Sequence, residues 1–228
     1  MIRVENIKKN YGKKIVLSDI SFEAGSGEII AIIGKNGCGK STLLQVMAGC
    51  LKKDAGTLAY YGQDASDASV YRKYIGYVPQ DNPFMEQLSV RDNLKLWKKG
   101  SAQQLEETIK EFELEEILKQ PITSLSGGMK RRLAIACALM NYPPVILLDE
   151  PTTALDFAHK DKIKKMLKAH KESGGIVIVA THDEDEIQYA DRVFLMQDGK
   201  LAEVDKGSIS KEMLINIYHE NGGKKDEI

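Results

Sequence analysis

Long apolar runs are missing from this 228-residue chain. The longest, residues 29–33, 145–148 and 176–180, fall far short of the roughly 18 residues a membrane-spanning helix needs. Residues 1–10 carry no apolar core of the secretory kind. The chain is therefore not expected to cross a bilayer by itself. Cysteine is scarce as well. Cys38, Cys50 and Cys137 are odd in number and form no C-x-x-C pair, which argues against a disulfide framework or a zinc site and for a reducing, cytosolic setting. Neither sign of charge dominates: 32 basic residues face 33 acidic ones, so the electrostatic footprint of a nucleic-acid binder is absent. Internal repeats, low-complexity tracts and sustained heptads are also lacking. What remains, at 43% apolar and 29% charged, is an ordinary globular composition, long enough to bury a sizeable core.

Two patterns alternate within it. Strand-like runs occupy residues 29–33, 75–79, 145–149, 176–181 and 192–197. Three of them, 29–33, 145–149 and 176–181, are continuously apolar, as strands covered on both faces of a parallel sheet should be. Helical patterns at 40–49, 90–98, 103–119, 128–140, 155–171 and 184–190 separate them. Met129, Leu133, Ala136 and Met140 recur on one stripe of the fourth. Strand and helix in alternation predict an α/β core. Shorter β-like pieces at 2–4, 15–17, 21–23 and 57–61, punctuated by Gly12, Gly25, Gly27 and Gly56, predict an antiparallel layer beside it. The charge-rich stretch between Gln80 and Ser126 reads as a helical insertion, and the polar residues 221–228 as a frayed tail.

Directly after the first core strand stands Gly34-Lys35-Asn36-Gly37-Cys38-Gly39-Lys40-Ser41-Thr42, a G-x-x-x-x-G-K-[ST] phosphate loop in its strand–loop–helix context. Glycines let the backbone N–H groups turn inward around a phosphate, and the helix beginning near Lys40 aims its positive end at the same anion. Lys40 can reach the β- and γ-oxygens, and Ser41 offers a hydroxyl to Mg²⁺. A second apolar strand runs into Asp149-Glu150 at the carboxyl edge where α/β sheets bind ligands. Side chains alternate along a strand, so the two carboxylates are expected to do different jobs. Asp149 reads as an outer-sphere Mg²⁺ partner and Glu150 as the general base for an attacking water.

A third segment, Leu125-Ser126-Gly127-Gly128-Met129, precedes Asp149 on the chain. Together with the two motifs above it resembles the signature of the ATP-binding cassette (ABC) family, the nucleotide-binding subunits of membrane transporters, over nearly the whole of residues 1–205. The resemblance implies a P-loop NTPase parallel-sheet core with an antiparallel β layer and an inserted helical subdomain. The ATPase domain would span 1–220, with 1–80 and 137–220 as β layer plus RecA-like core, 81–136 as the helical subdomain and 221–228 as a flexible tail.

It also implies roles for particular residues. Asn36, Gly37, Gly39 and Thr42 would line the nucleotide beside Gly34, Lys40 and Ser41. Ser126, Gly127 and Gly128 open a helix that would hold the γ-phosphate of ATP bound to a second protomer. Gln80 would reach Mg²⁺ and the attacking water, His182 would contact the γ-phosphate, Asp156 would communicate across the dimer, and Tyr11 would stack on adenine. His159, His170 and His219 match no family position and are expected at the surface, like the Lys-rich helix 160–171. Cys38 is expected to fill its loop without touching nucleotide. Met129 departs from the family's usual Gln. The run from Gly127 to Leu133, together with that from Met85 to Leu94, looks like the branch exporting drugs, lipids or polysaccharides.

The implied function is ATP hydrolysis by a subunit that pairs with a second cassette, identical or paralogous. It would power separately encoded transmembrane subunits from the cytoplasmic face of the membrane. Two other readings of the same loop stand beside it. A cassette ATPase acting on ribosomes or chromosomes usually carries two cassettes or long coiled coils, and neither is visible here. A small-molecule kinase would need neither Leu125–Gly128 nor the pairing of Glu150 with His182.

Overall fold

The computed structural model describes residues 1–81, 83–152 and 155–219; the tail expected at 221–228 lies outside them. In chain order, β1 (Ile2–Tyr11) and β2 (Lys14–Ala24) form an antiparallel hairpin, and β3 (Glu28–Ile33) leads into α1 (Lys40–Met47). Then come β4 (Ala55–Tyr60), the two-residue β5 (Gln63–Asp64), α2 (Ala68–Tyr74) and β6 (Ile75–Val78). Three helices, α3 (Val90–Trp97), α4 (Ala102–Glu111) and α5 (Gly127–Leu139), separate β6 from β7 (Val145–Asp149). The chain continues through α6 (Phe157–Glu172), β8 (Ile176–Ala180), α7 (Glu184–Tyr189), β9 (Arg192–Gln197), β10 (Lys200–Val204) and α8 (Lys211–His219).

Two sheets result. One is antiparallel, in the order β2-β1-β4-β5. The other runs β10-β9-β3-β8-β7-β6, and its five strands from β9 to β6 are all parallel. Those five are the five core strands expected from the sequence. Period-2 alternation divides their side chains between two cores. Ile29, Ala31, Ile33, Ile146, Leu148, Val177 and Val179 pack against α3, α5 and α6. Ile30, Ile32, Leu147, Ile178 and Ala180 face α1 and the antiparallel sheet, where Ile2, Leu17, Leu43, Met47 and Leu58 complete the layer.

Several expectations are corrected. The pieces at 15–17 and 21–23 are one strand, β2, interrupted by a bulge at Asp19 (φ 69°); its carboxylate accepts from Asn6 Nδ2 at 2.6 Å, opposite a matching irregularity in β1. The helix expected over 103–119 stops at Glu111, because Glu113 takes a positive φ of 52°, and only a 3₁₀ turn, Glu115–Ile117, follows. The helix expected from 155 begins at Phe157, where the Asp156 side chain caps it. α5 is buried on more than one stripe: Ala134, Ile135 and Cys137 are buried beside Leu133, Ala136 and Met140, while Met129 is half-buried. α2, β10 and α8 had no counterpart in the sequence reading.

Candidate functional site

Parallel strands deliver their carboxyl ends to one edge, and four of them meet there. β3 ends in the phosphate loop, β6 leads to Gln80, β7 ends at Asp149 with Glu150 next, and β8 leads through Thr181 to His182. A cleft of about 920 Å³ lies along this edge. Asn36, Gly37, Gly39, Lys40, Ser41 and Thr42 line its phosphate-loop side. Gln80, Glu150 and His182 line the opposite wall, and Tyr11, with Lys14 and Val16, closes the far end from the β1–β2 hairpin. Tyr11 pairs with Lys14 across the turn and is half exposed.

The phosphate loop is built for close approach. At Gly34 (φ +151°) a Cβ would sit 2.3 Å from the Met196 carbonyl oxygen of β9, so no other residue fits without moving a strand. Gly37 (φ +77°), which also lines the cleft, by contrast has open space where a Cβ would stand. Lys40 is buried, and its Nζ donates to the carbonyls of Gly34 at 2.7 Å and Lys35 at 3.2 Å.

Asp149 and Glu150 do separate, for a reason other than alternation. The strand ends at Asp149, and Glu150 adopts a left-handed backbone (φ 50°), held by its N–H donating to Ala180 O at 2.9 Å. A non-glycine residue there is strained, a condition that gathers at functional sites. The turn brings Glu150 Oε1 to 3.4 Å from His182 Nδ1. Asp149 stays buried, hydrogen-bonded to Ser41; burial and the neighbouring Glu150 charge push its carboxyl up, opposed by Ser41, Lys40 and Arg131.

Arg131 was not singled out from the sequence, yet it ties this edge together. It is buried on α5, and Nε donates to Pro151 O at 3.1 Å. Nη1 donates to Pro79 O at 2.5 Å and Gln80 O at 3.4 Å, and Nη2 to the backbone carbonyl of Asp149. One guanidinium thus fastens the ends of β6 and β7 to the helix that Ser126 opens. Burial pulls its pKa down, and the carboxylates of Asp149, Glu186 and Glu150 oppose that pull. Glu186 on α7 is a second buried charge the sequence did not announce.

Ser126 and Asp156 stand apart from the cleft. Ser126 is the N-cap of α5, its Oγ accepting from Met129 N at 3.2 Å, and it is exposed, as is Gly127. Gly128 behind them is half-buried, and Met129 contributes a backbone N–H to the cap while its side chain packs on the core. Asp156 is exposed at the N-cap of α6.

Among the other histidines, two depart from the surface expectation. His170 is half-buried against Gly175, and burial lowers its pKa. His159 is half-buried between Asp156 and Arg132. The side chain of His219 lies outside the described residues. Cys38 is half-buried and Cys50 exposed, whereas burial pushes the Cys137 thiol up to about 12. The Lys-rich face of α6 is partly pinned, Lys160 to Asp183 at 2.6 Å and Lys162 to Glu113 at 2.8 Å.

Comparison with known proteins adds to this geometry. A family model described as ABC transporter matches residues 17–153. The sulfate/thiosulfate import ATP-binding protein CysA 1 of Chromobacterium violaceum is 35% identical over 216 residues, 89% of this chain and 60% of its own length. The linearmycin resistance ATP-binding protein LnrL of Bacillus subtilis is 34% identical over 210 residues, 88% of this chain and 68% of its own. For the lantibiotic transport ATP-binding protein SrtF of Streptococcus pyogenes the identity is 31% over 223 residues, 95% and 96% of the two chains. Among solved structures, the dimeric MJ0796, a bacterial ABC transporter cassette, superposes with a TM-score of 0.82 at 31% identity, over 90% of this chain and 99% of that one. A post-hydrolysis dimer of the same cassette, bound to ADP and Pi, matches with the same TM-score at 30% identity.

Proposed function

The chain belongs to the ABC transporter family, and on that footing we propose that it is an ATP-binding, ATP-hydrolysing subunit that works as a pair. Two such cassettes, identical or paralogous, would close around two ATP molecules. Their closing and opening would drive a substrate through separate transmembrane subunits at the cytoplasmic face of the membrane. The observation that carries this reading is a division of labour. Of the side chains assigned here to holding and attacking a triphosphate, all but the buried Asp149 line one cleft, whereas Ser126 and Gly127 at the tip of α5 lie outside it, exposed to solvent.

In this mechanism the phosphate-loop amides and the N-terminus of α1 hold the β-phosphate. Lys40 exchanges the carbonyls of Gly34 and Lys35 for phosphate oxygens. Ser41 and Gln80, with Asp149 behind Ser41, offer the hard-oxygen donors that suit Mg²⁺. Bound there, the cation would neutralise charge building on the phosphates. Glu150 takes the proton of the attacking water, and His182 beside it meets the γ-phosphate. The partner's counterpart of the Ser126 tip closes over that same γ-phosphate, so ATP favours the closed pair and hydrolysis removes the preference. Gln80 begins the segment leading to α3, and Arg131 grips its carbonyl, so movement of that segment reaches the cleft.

Glu150→Gln tests the reading. The variant is expected to bind ATP, accumulate as an ATP-dependent dimer on size-exclusion chromatography with light scattering, and lose turnover by about a thousandfold. Undiminished hydrolysis would remove Glu150 from the base role, and a monomer at saturating ATP would remove the pairing.

A further inference from the structure

His159 sits in the first turn of α6 and holds its own cap twice. The Asp156 carboxylate accepts the His159 backbone N–H at 3.0 Å, and the ring Nδ1 lies 2.8 and 2.9 Å from its two oxygens. On the other side of the ring, Nε2 is 3.2 Å from Arg132 Nη1 of α5. A guanidinium has only donors, so Nε2 must be the acceptor. The ring in this arrangement is therefore neutral, with its proton on Nδ1 and given to Asp156. The result is one directed chain, Arg132 to His159 to Asp156. It joins the helix that Ser126 opens to the loop that carries Asp156, and both ends of that link are outward-facing parts of the same molecule.

We propose that His159 is a positioning residue that couples the Asp156 loop to the Ser126 helix, and that protonation of its Nε2 uncouples them. A proton on Nε2 sets donor against donor and cation against cation. Arg132 must then leave, while the imidazolium grips Asp156 more tightly. The charged groups facing the ring are Arg132 from α5, Glu113 from the turn after α4, and Asp156 and Lys162 from its own segment. Glu113 pairs with Lys162 at 2.8 Å and lies 3.9 Å from Arg132, and both acids are held below the ordinary carboxylate range, Glu113 by Lys162 and Asp156 by His159. Nε2 of His159 is the ring atom at which a gained proton turns an acceptor for Arg132 into a donor against it. Arg132 Nε is buried without a hydrogen-bond partner, so the guanidinium depends on its Nη1 contacts to stay in place. The cross-dimer meaning of the link rests on the function proposed above; the link itself does not.

Two measurements keep the failures distinguishable. In the full nucleotide-free chain at about pH 8, ¹⁵N NMR of His159 is expected to show the Nδ1–H tautomer. Arg132→Met should move it toward the Nε2–H form. An Nε2–H ring in the unaltered chain, or no response to Arg132→Met, would overturn the link whatever the protein hydrolyses. Steady-state ATPase from about pH 5.5 to 8.5 then reads its use. His159→Gln and Arg132→Met are each expected to lower kcat about fivefold at the alkaline end, without changing ATP affinity, and to flatten the acid limb. The double variant should be no slower than either single one. Additive losses, or an acid limb unchanged in His159→Gln, would refute the coupling.

Discussion

On the function proposed above, the cleft edge and the outward-facing tip of α5 would be opposite solutions to the same task of holding a phosphate. At the cleft edge, Lys40 and Asp149 are buried, Glu150 is locked in a left-handed turn, and Arg131 ties two strand ends together from below. At the tip, Ser126 and Gly127 are exposed, and the cap hydrogen bond to Met129 N is what organises them. An interior pocket is pre-organised by its own fold, so its dipoles need no rearrangement when charge arrives. An exposed helix N-terminus binds an anion weakly, because water competes for it, and becomes strong only when another surface excludes that water. If the proposed pairing holds, the difference teaches that half of the machinery is finished within one chain and half waits for a second.

The sharpest way to break that comparison is to block the unfinished half. Ser126→Arg puts a bulky cation where the proposed second molecule would close, and ATPase activity is expected to fall about a thousandfold while single-chain ATP binding, measured by fluorescent-nucleotide titration, stays intact. Normal turnover would mean that the tip has no part in catalysis. Arg131→Met attacks the finished half. It leaves the carbonyls of Pro79, Asp149 and Pro151 without their buried donor. Urea denaturation is expected to show a loss of about 3 to 5 kcal/mol. An unchanged midpoint would show that the strand ends hold themselves.

How much of this was legible in the sequence follows the same divide between local and distant partners. The five parallel strands were readable because both faces of β3, β7 and β8 are buried, which leaves a continuous apolar run. β10 was missed although Asp198-Gly199 (φ 49° and 72°) is a hairpin turn of the I′ kind that announces it. α2 was missed because it buries only Val70 and leaves almost no periodic signal. In the site, Lys40, Ser41, Asp149 and Glu150 came from contiguous motifs whose chemistry is local. Gln80, His182 and Asp156 came only through the family resemblance, since a single Gln, His or Asp carries no pattern. Arg131 was invisible because its acceptors lie between 18 and 52 residues away along the chain. The ring contact that lifts His159 out of the surface class, to Arg132, is likewise distant.

Glu186 sharpens the comparison from inside the finished half. It shares a cavity of about 220 Å³ with Glu150, Thr152, Thr181 and His182, and burial pushes its carboxyl from the ordinary 4.5 up to about 7, with the Thr181 and Thr152 hydroxyls opposing. A raised folded pKa means that the native chain keeps a proton the unfolded chain has already lost. Stability therefore falls as pH rises from about 4.5 to about 7, and the cost is fully present above that. Glu186→Gln removes the charge at similar shape. It is expected to gain up to about 3 kcal/mol at about pH 8 and almost nothing at about pH 4, read as the pH dependence of the urea midpoint. A gain that does not vary with pH would show that packing, not ionisation, decides this position.

Tyr11 is an exposed member of the cleft that comes from the antiparallel hairpin rather than from the end of a parallel strand. Tyr11 ends β1, half exposed, with Lys9 Nζ 5.8 Å from its ring centroid. If it stacks on the adenine, its contribution is that of one aromatic face on one base, so Tyr11→Ala should weaken ATP binding about tenfold. Tyr11→Trp should restore it, and both variants should turn over saturating ATP at the normal rate. Because the phosphates are held elsewhere, the loss should be nearly the same for ADP. It should disappear for inorganic triphosphate, which has no base to stack. An equal loss for triphosphate would mean that Tyr11 shapes the phosphate loop rather than the base pocket, and the boundary between the finished and waiting halves would have to be drawn inside the cleft.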